Sequence, residues 1–402
     1  MNTDKTKGNR PLKKNKIKWL FRDAFFCTVL SLVAFSLLAN LILSTSYFNP
    51  LLHSIRDFSF LDAYYNANFS DQGKIDSTLL LVNIGDLDRK GIADLLDTLQ
   101  QQNPEVLGLD IIFKEVGNKL DTVLFNEMSK DNVVMSYIYN PDSLGTMGEN
   151  LPLTSTFGYV NLTSVEPTEV IRGFKGVQSS GQDKYYSLVS QMMRSYQNGH
   201  IWNTQGYSQK LLRERRVKFY GHFKDFPHVE GADVLLGKGQ NNLTDKIVLV
   251  GYAGYPSENP YDVEDKHFTP LNAHPLGKGI PDMFGITVHA NITNMLLQND
   301  FFWELGVFGQ GLLIFLFSYL TCLYFIWLDR KLKISYRTVR KLVLFVFAVV
   351  LVGVCFWLFG KNVVVEPTLI VMTTIFSAGF VKYYKHLVRY IKTKHKFKSY
   401  LK

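Results

Sequence analysis

Cysteine is nearly missing from this chain. There are 3 in 402 residues, at positions 27, 322 and 355, and each falls inside a long apolar run. The stretch from 45 to 304 has none, so no disulfide framework holds it and no cysteine nucleophile works in it. Its stability has to come from an ordinary core, which a block of this size can build. A Gly-x-Ser-x-Gly elbow, a P-loop and a His-x-x-x-His pair are also absent. Their absence removes the local signatures of a serine hydrolase, a nucleotide hydrolase and a helix-borne zinc site. Acidic residues are scarce everywhere outside 45–304, where 4 Asp/Glu stand against 23 Lys/Arg; inside that block 31 Asp/Glu stand against 21 Lys/Arg.

That charge step coincides with the hydrophobic runs. The first run, 24–44, carries no charge and follows Lys13, Lys14, Lys16, Lys18 and Arg22. About twenty apolar residues cross the ~30 Å hydrocarbon layer, whereas a cleaved signal peptide has an apolar stretch of only about 7–15 residues. The run therefore reads as an uncleaved anchor. Three further runs, 305–327, 342–359 and 363–381, read as spans, separated by a basic loop at 328–341 and followed by a basic tail at 382–402. Cytoplasmic loops carry the excess of Lys and Arg. Four spans with 1–23, 328–341 and 382–402 inside place both termini in the cytoplasm and the acidic block 45–304 outside, in the cell (inner) membrane. The net +9 then reflects membrane topology and calls for no nucleic-acid partner. Anionic lipid is the expected partner of the basic tail, at about 1 kcal/mol per basic residue near the surface.

The outer block reads as α/β with a mainly parallel sheet. Thr78–Ile84, Val106–Phe113 and Lys246–Gly251 are short continuous apolar runs of the kind that form buried strands. Between the first two, Ile92, Leu95, Leu96 and Leu99 recur at helical spacing, and Asn103-Pro104 stops the helix, which suggests a parallel βαβ unit. Strands are expected at Asn132–Ile138, Phe157–Leu162 and Arg216–Tyr220, helices at Leu120–Met128, Tyr185–Tyr196 and Ile286–Leu297, and a loop at Pro141–Thr156.

Ligands in parallel α/β sheets gather beyond the carboxyl ends of the strands. Asp86, Asp110 and the segment opening at Gly251 lie there, and Gly251-Tyr-Ala-Gly254 lets backbone approach a ligand. The competing reading of Asp110 is a loop-orienting carboxylate, and for Asp88 a local turn or cap is the better one. Arg172 can pair with an acid of the domain or with an anionic ligand. Asp262, Asp265, His267, His274 and His289 supply metal-ligand chemistry, but their spacing fits no zinc signature, so neither a metal nor a cofactor is expected.

Three ordered segments carry a family resemblance: Pro104–Phe113; Gly158–Asn161 with Ile171-Arg172; and Leu243–Gly251 with Asp265–Pro270 and Gly285–Asn291. With them, over nearly the whole length, the chain resembles the second class of CHASE domains, the extracellular sensory domains associated with cyclases and histidine kinases. The resemblance implies one N-terminal anchor, an outer α/β sensor and three closing spans. It brings Thr269, His289 and Asn291 into the candidate ligand-binding set beside Asp86, Asp110, Arg172, Gly251 and Asp265. Only about twenty residues follow Val381, so the expected function is a non-enzymatic signal input module that passes its state in trans to a membrane or cytoplasmic partner. The alternatives are an envelope docking protein, and a hydrolase built on paired carboxylates such as Asp86 and Asp110.

Overall fold

The computed structural model describes residues 11–44, 59–67, 74–113, 121–140, 156–162, 170–238, 242–255, 265–272, 280–331 and 336–401. The expected loop at 141–156 lies almost wholly outside them, as do Asp262 and His274. The chain forms two compact units, 62–302 and a second built from 1–61 with 303–402.

The first unit is built on β1 (Leu79–Asn83), β2 (Val106–Asp110), β3 (Val133–Tyr137), β4 (Thr156–Tyr159), a short antiparallel pair of β5 (Gly173–Phe174) with β8 (Arg215–Arg216), a hairpin of β6 (Val177–Ser180) and β7 (Asp183–Tyr186), then β9 (His228–Glu230), β10 (Ile247–Gly251), β11 (Lys266–His267) and β12 (Met283–Phe284). Six of these form the main sheet in the order β4-β3-β2-β10-β1-β9, with every pair parallel. β1 and β2 are therefore parallel but not adjacent, because β10 lies between them.

Strand alternation sorts the two faces. Leu80, Val82, Leu107, Leu109, Val133, Met135, Val248 and Val250 turn to one side, where they bury Ile92, Leu95, Leu96 and Leu99 of the Arg89–Gln100 helix and Leu124 and Met128 of the Asp121–Met128 helix. Asp88 caps the former, its Oδ1 accepting from Gly91 N at 2.7 Å. The opposite face, with Leu79, Leu81 and Leu249 buried, carries the Leu188–Ser195 and Gly285–Leu297 helices. Both faces are covered, which is why the strands read as continuous apolar runs.

Two expected elements come out differently. The helix expected over 185–196 begins at Leu188, because 183–186 closes the β6–β7 hairpin. Of the strand expected at 216–220, only Arg216 is in a ladder. Val217 N still donates to Arg172 O at 2.8 Å, next to β5; beyond it the chain runs extended to 221, where side chains supply partners among the described residues. Tyr65 Oη donates to Phe219 O and accepts from Phe219 N, and Asn291 bridges Tyr220 and Gly221.

The second unit contains β13 (Trp303–Glu304) and β14 (Val363–Val364), paired in parallel, and four long helices, Pro11–Leu43, Val307–Lys331, Tyr336–Phe359 and Pro367–Lys394. Among the described residues, three are long and apolar enough to cross a membrane: Lys16–Leu43, Val307–Lys331 and Arg337–Phe359. The fourth span expected at 363–381 is corrected. Its first residues form β14, so the helix starts at Pro367 and meets Lys382 after fifteen residues. At ~1.5 Å per residue that is about 22 Å, short of the ~30 Å hydrocarbon layer. Thr373, Thr374 and Ser377 also dilute it; all three are buried, and Ser377 Oγ meets Ser31 Oγ of the first helix at 2.9 Å. The fold is an α/β domain flanked by three such helices, one before it and two after. An odd number of crossings does not return a chain to its starting side, so the expectation of four spans with both termini cytoplasmic falls with the fourth span.

Candidate functional site

The strand order puts a topological switch point at the carboxyl edge of the sheet, where a crevice is expected. β1 and β2 lead to helices on one face, and β10 between them leads to the Gly285–Leu297 helix on the other. A crevice opens where neighbouring strands send their chains to opposite faces. The register places Asn83, Gly251 and Asp110 side by side at this point, with Glu230 beyond Asn83.

Asn83 is buried and saturated. Its Nδ2 donates to Glu230 Oε2 at 2.7 Å and Gly254 O at 2.9 Å, and its Oδ1 accepts from Gly85 N at 3.0 Å and Ala253 N at 2.8 Å. It ties the loops after β1 and β10 into one floor. At Gly251 a Cβ would stand 3.1 Å from Asp110 Cβ and 3.2 Å from Ile286 Cδ1, so only glycine lets the helix and Asp110 come this close.

Beyond Gly251 the Gly285–Leu297 helix begins, with no side-chain cap. Gly285 N donates to Asp265 O, and a Cβ on Gly285 would lie 3.5 Å from Asp265 Oδ2, 3.7 Å from Asp110 Oδ2 and 3.7 Å from His267 Nε2. One turn on, His289 Nε2 stands 3.9 Å from Asp110 Oδ1, the two side chains being 4% and 12% exposed. His289 Nδ1 is buried without a partner among the described residues.

The structure thus brings Asp110, Gly251, Asp265 and His289 together, and adds Asn83, Glu230, His267 and Gly285. Asp86 is exposed in the turn after β1. The other three candidates are engaged elsewhere. Arg172 grips Asp62 Oδ2 through Nε at 2.8 Å and a terminal nitrogen at 2.6 Å. Thr269 N donates to Asp282 Oδ1 at 2.8 Å. Asn291 holds the 220–221 backbone. Asn83 was hidden in the sequence because it reads as the polar tail of an apolar run, and Glu230 because its strand is three residues long.

Residues 46–323 match the family model described as the CHASE2 domain. The chain belongs to the CHASE2 family. No curated protein and no solved structure matches it. A CHASE2 domain is an extracytoplasmic sensor module rather than a catalytic one, typically paired with histidine kinases or cyclases. Among the described residues, two helices that fit a membrane span, Val307–Lys331 and Arg337–Phe359, lie after the outer domain of this member, not the three that the resemblance implied.

Burial is the largest cause of the shifts among the titrating groups of the CHASE2 crevice. It pushes the Asp110 carboxyl up from 3.8 to about 7 and the His289 imidazole down from 6.5 to about 4. His267 is also lowered, by burial and then by His289. Asp110 has a raised folded pKa, so its contribution to stability is complete below about 4 and is lost as pH rises to about 7. His289 has a depressed one, so its contribution is present above 6.5 and is lost as pH falls to about 4. The two slopes oppose each other across the shared window. Asp110→Asn removes one of them. The variant should gain stability steeply between pH 4 and 6.5, and at pH 8 should exceed the parent by about 2–4 kcal/mol, since each pKa unit is worth ~1.4 kcal/mol. Denaturant melts at pH 4, 6 and 8 check this; parallel profiles for variant and parent would contradict it.

Proposed function

We propose that the chain is a membrane-anchored input module whose crevice at the end of β10 takes a small extracytoplasmic ligand and whose state is read by a separate membrane or cytoplasmic partner. The supporting observation is the position of one helix. Gly285–Leu297 presents its first turn to the crevice, and five residues after its end β13 pairs with β14, the strand between the last two long helices. Asp110, Gly251, Asp265 and His289 are the ligand-facing residues on this reading, with Asn83 and Glu230 shaping the floor. Asp86 lies near the mouth, and Arg172, Thr269 and Asn291 serve the framework.

A ligand shifts a conformational equilibrium only by binding its two states unequally. The test uses the full chain in lipid nanodiscs against a panel of purified small metabolites, read by melting temperature and by amide exchange. A ligand should raise the melting temperature, protect the amides of 285–297, and alter exchange at 303–304 and 363–364. Protection confined to 285–297, with 303–304 and 363–364 unchanged, removes the transmission step. No protection by any compound removes the small-ligand reading.

A further inference from the structure

Asp110 and His289 are buried face to face and stand just too far apart to bond. Among the described residues no hydrogen bond reaches the Asp110 carboxyl group, and His289 Nε2 lies 3.9 Å from its Oδ1, beyond the ~3.2 Å reach of an N–H···O bond. The other ring nitrogen, Nδ1, is buried without a partner. A buried carboxyl group that no donor serves is stable as the neutral acid, and a buried imidazole that no acceptor serves is stable as the neutral ring. The upward shift of Asp110 to about 7 and the downward shift of His289 to about 4 agree with that geometry. The surrounding groups are committed elsewhere or uncharged. His289 is the one titratable residue of its helix, and β10 has none. Asp265 has a partner of its own, and burial keeps the His267 ring lowered. Lys266 carries its ammonium 4.7 Å over the ring of Phe284. Glu230 is bonded to Asn83 and Asp282 to Thr269. Arg194, the one charged residue of the Leu188–Ser195 helix, lies over the ring of Tyr186.

Loss of the Asp110 proton to the water outside changes what the crevice needs. The O–H bond breaks, its electron pair stays on the carboxylate, and a buried anion then requires a donor. The neutral ring of His289 can carry its one N–H on Nε2, toward Asp110. A charge-assisted bond of this kind is about 2.7–2.9 Å long, so the gap has to close by about 1 Å. The backbone of β2 is held on both sides, by β10 and by β3. The Gly285–Leu297 helix is the freer partner: it starts without a side-chain cap, and a Cβ on Gly285 would meet nothing nearer than 3.5 Å. We propose that Asp110 and His289 form a proton-sensing pair, in which a proton held on Asp110 keeps the pair open and its loss draws the first turns of the Gly285–Leu297 helix toward β2. The helix that moves is the one whose far end leads to β13. This inference rests on the sensor reading of the same crevice and adds the extracytoplasmic proton as an input that sets the position of its helix.

The full chain in lipid nanodiscs is followed from pH 5.5 to pH 8.5 by amide exchange, each rate divided by the intrinsic rate at that pH, and by the infrared band of protonated carboxyl groups. In the parent, exchange at 285–297, 303–304 and 363–364 should step together with a midpoint near 7, and part of the infrared band should vanish over the same range. Asp110→Asn, a neutral isostere of the acid, should hold the low-pH exchange pattern throughout and lose that infrared step. Glu230→Gln keeps an acceptor for Asn83 and removes another carboxyl that burial raises; it should keep both steps. His289→Leu removes the donor, so the infrared midpoint should move up in pH while the exchange step at 285–297 disappears. No step in the parent, a step that persists in Asp110→Asn, or an infrared step with exchange unmoved overturns the proposal. If a metabolite protects 285–297 in a parent that shows no pH step, the proton is wrong and the small-ligand reading stands. A pH step carried by Asp110 in a parent that no metabolite protects keeps the proton and removes the small ligand.

Discussion

Asn291→Leu should destabilise the outer domain by about 4 kcal/mol, although the two side chains have similar size. Asn291 is fully buried. Its Oδ1 accepts from Tyr220 N at 2.5 Å and Gly221 N at 3.2 Å; its Nδ2 donates to Gly221 O at 2.9 Å and Thr287 O at 2.8 Å. Beyond Val217, which still bonds Arg172 O beside β5, this extended segment is in no ladder among the described residues, so the amide stands in for one. Leucine leaves two N–H groups and a carbonyl of that segment buried and unpaired, at about 1–3 kcal/mol each. Partial relaxation toward water lowers the sum. A domain stable by about 5–15 kcal/mol loses a large fraction of its margin. Urea melts of Asn291→Leu measure the loss. Asn291→Asp keeps the acceptor for the two N–H groups but turns a second carboxyl oxygen on Gly221 O and Thr287 O in a fully buried site, so it should lose at least as much at pH 8 and recover part of the loss at pH 4, where a protonated carboxyl can donate. Equal loss at both pH values would show that the Nδ2 position contributes little.

That segment also shows where the sequence stops being informative. Val217 and Phe219 alternate as in a strand, and both are buried. The local pattern reports an extended backbone, which is correct, but Lys218 and Tyr220 are buried too, so both faces turn inward. What completes its hydrogen bonds is Tyr65, 154 residues away, and Asn291, 71 residues away, and nothing local announces either. The same division runs through the sheet. β1, β2, β3 and β10 are legible because strands buried on both faces are continuous apolar runs. The insertion of β10 between β1 and β2 is set by pairing over long separations. β9 has three residues, His228, Val229 and Glu230, and so no run at all.

The candidate site divides in the same way. Asp110 and Gly251 were legible because a strand end is a local feature and ligands gather at such ends. Arg172 offered two readings, and its bidentate grip on Asp62, 110 residues away, belongs to the tertiary fold. The fourth span was overcounted for a physical reason. Val363, Val364 and Val365 are as apolar as any membrane residue, yet Val363 and Val364 are β-branched residues that pair as a strand with Trp303 and Glu304. Hydropathy sums cannot tell a short buried strand from the start of a helix.

Asp300→Ala should be as costly as the loss of Asn291, and it bears on transmission as well as on stability. Lys218 is buried, its side chain 7% exposed, and its Nζ reaches Asp300 Oδ2 at 2.6 Å. Tyr220 Oη donates to the same oxygen at 3.0 Å. Asp300 sits between the end of the Gly285–Leu297 helix and β13, so this cluster anchors the stretch through which the helix would pull on the strand pair. Removing one partner of a buried ion pair leaves an uncompensated charge and costs about 3–5 kcal/mol, whereas replacing both by apolar groups is often close to neutral. Asp300→Ala should therefore lower stability by about that amount, and Lys218→Met in the same chain should recover most of it. The recovered double variant separates two roles. If the ion pair only holds the domain together, ligand-dependent changes in exchange at 303–304 and 363–364 return with stability. If it also fixes the handle on β13, stability returns and those changes do not, while protection of 285–297 by ligand is kept. A double variant as unstable as Asp300→Ala alone would show that the lost carboxylate had been holding something other than Lys218.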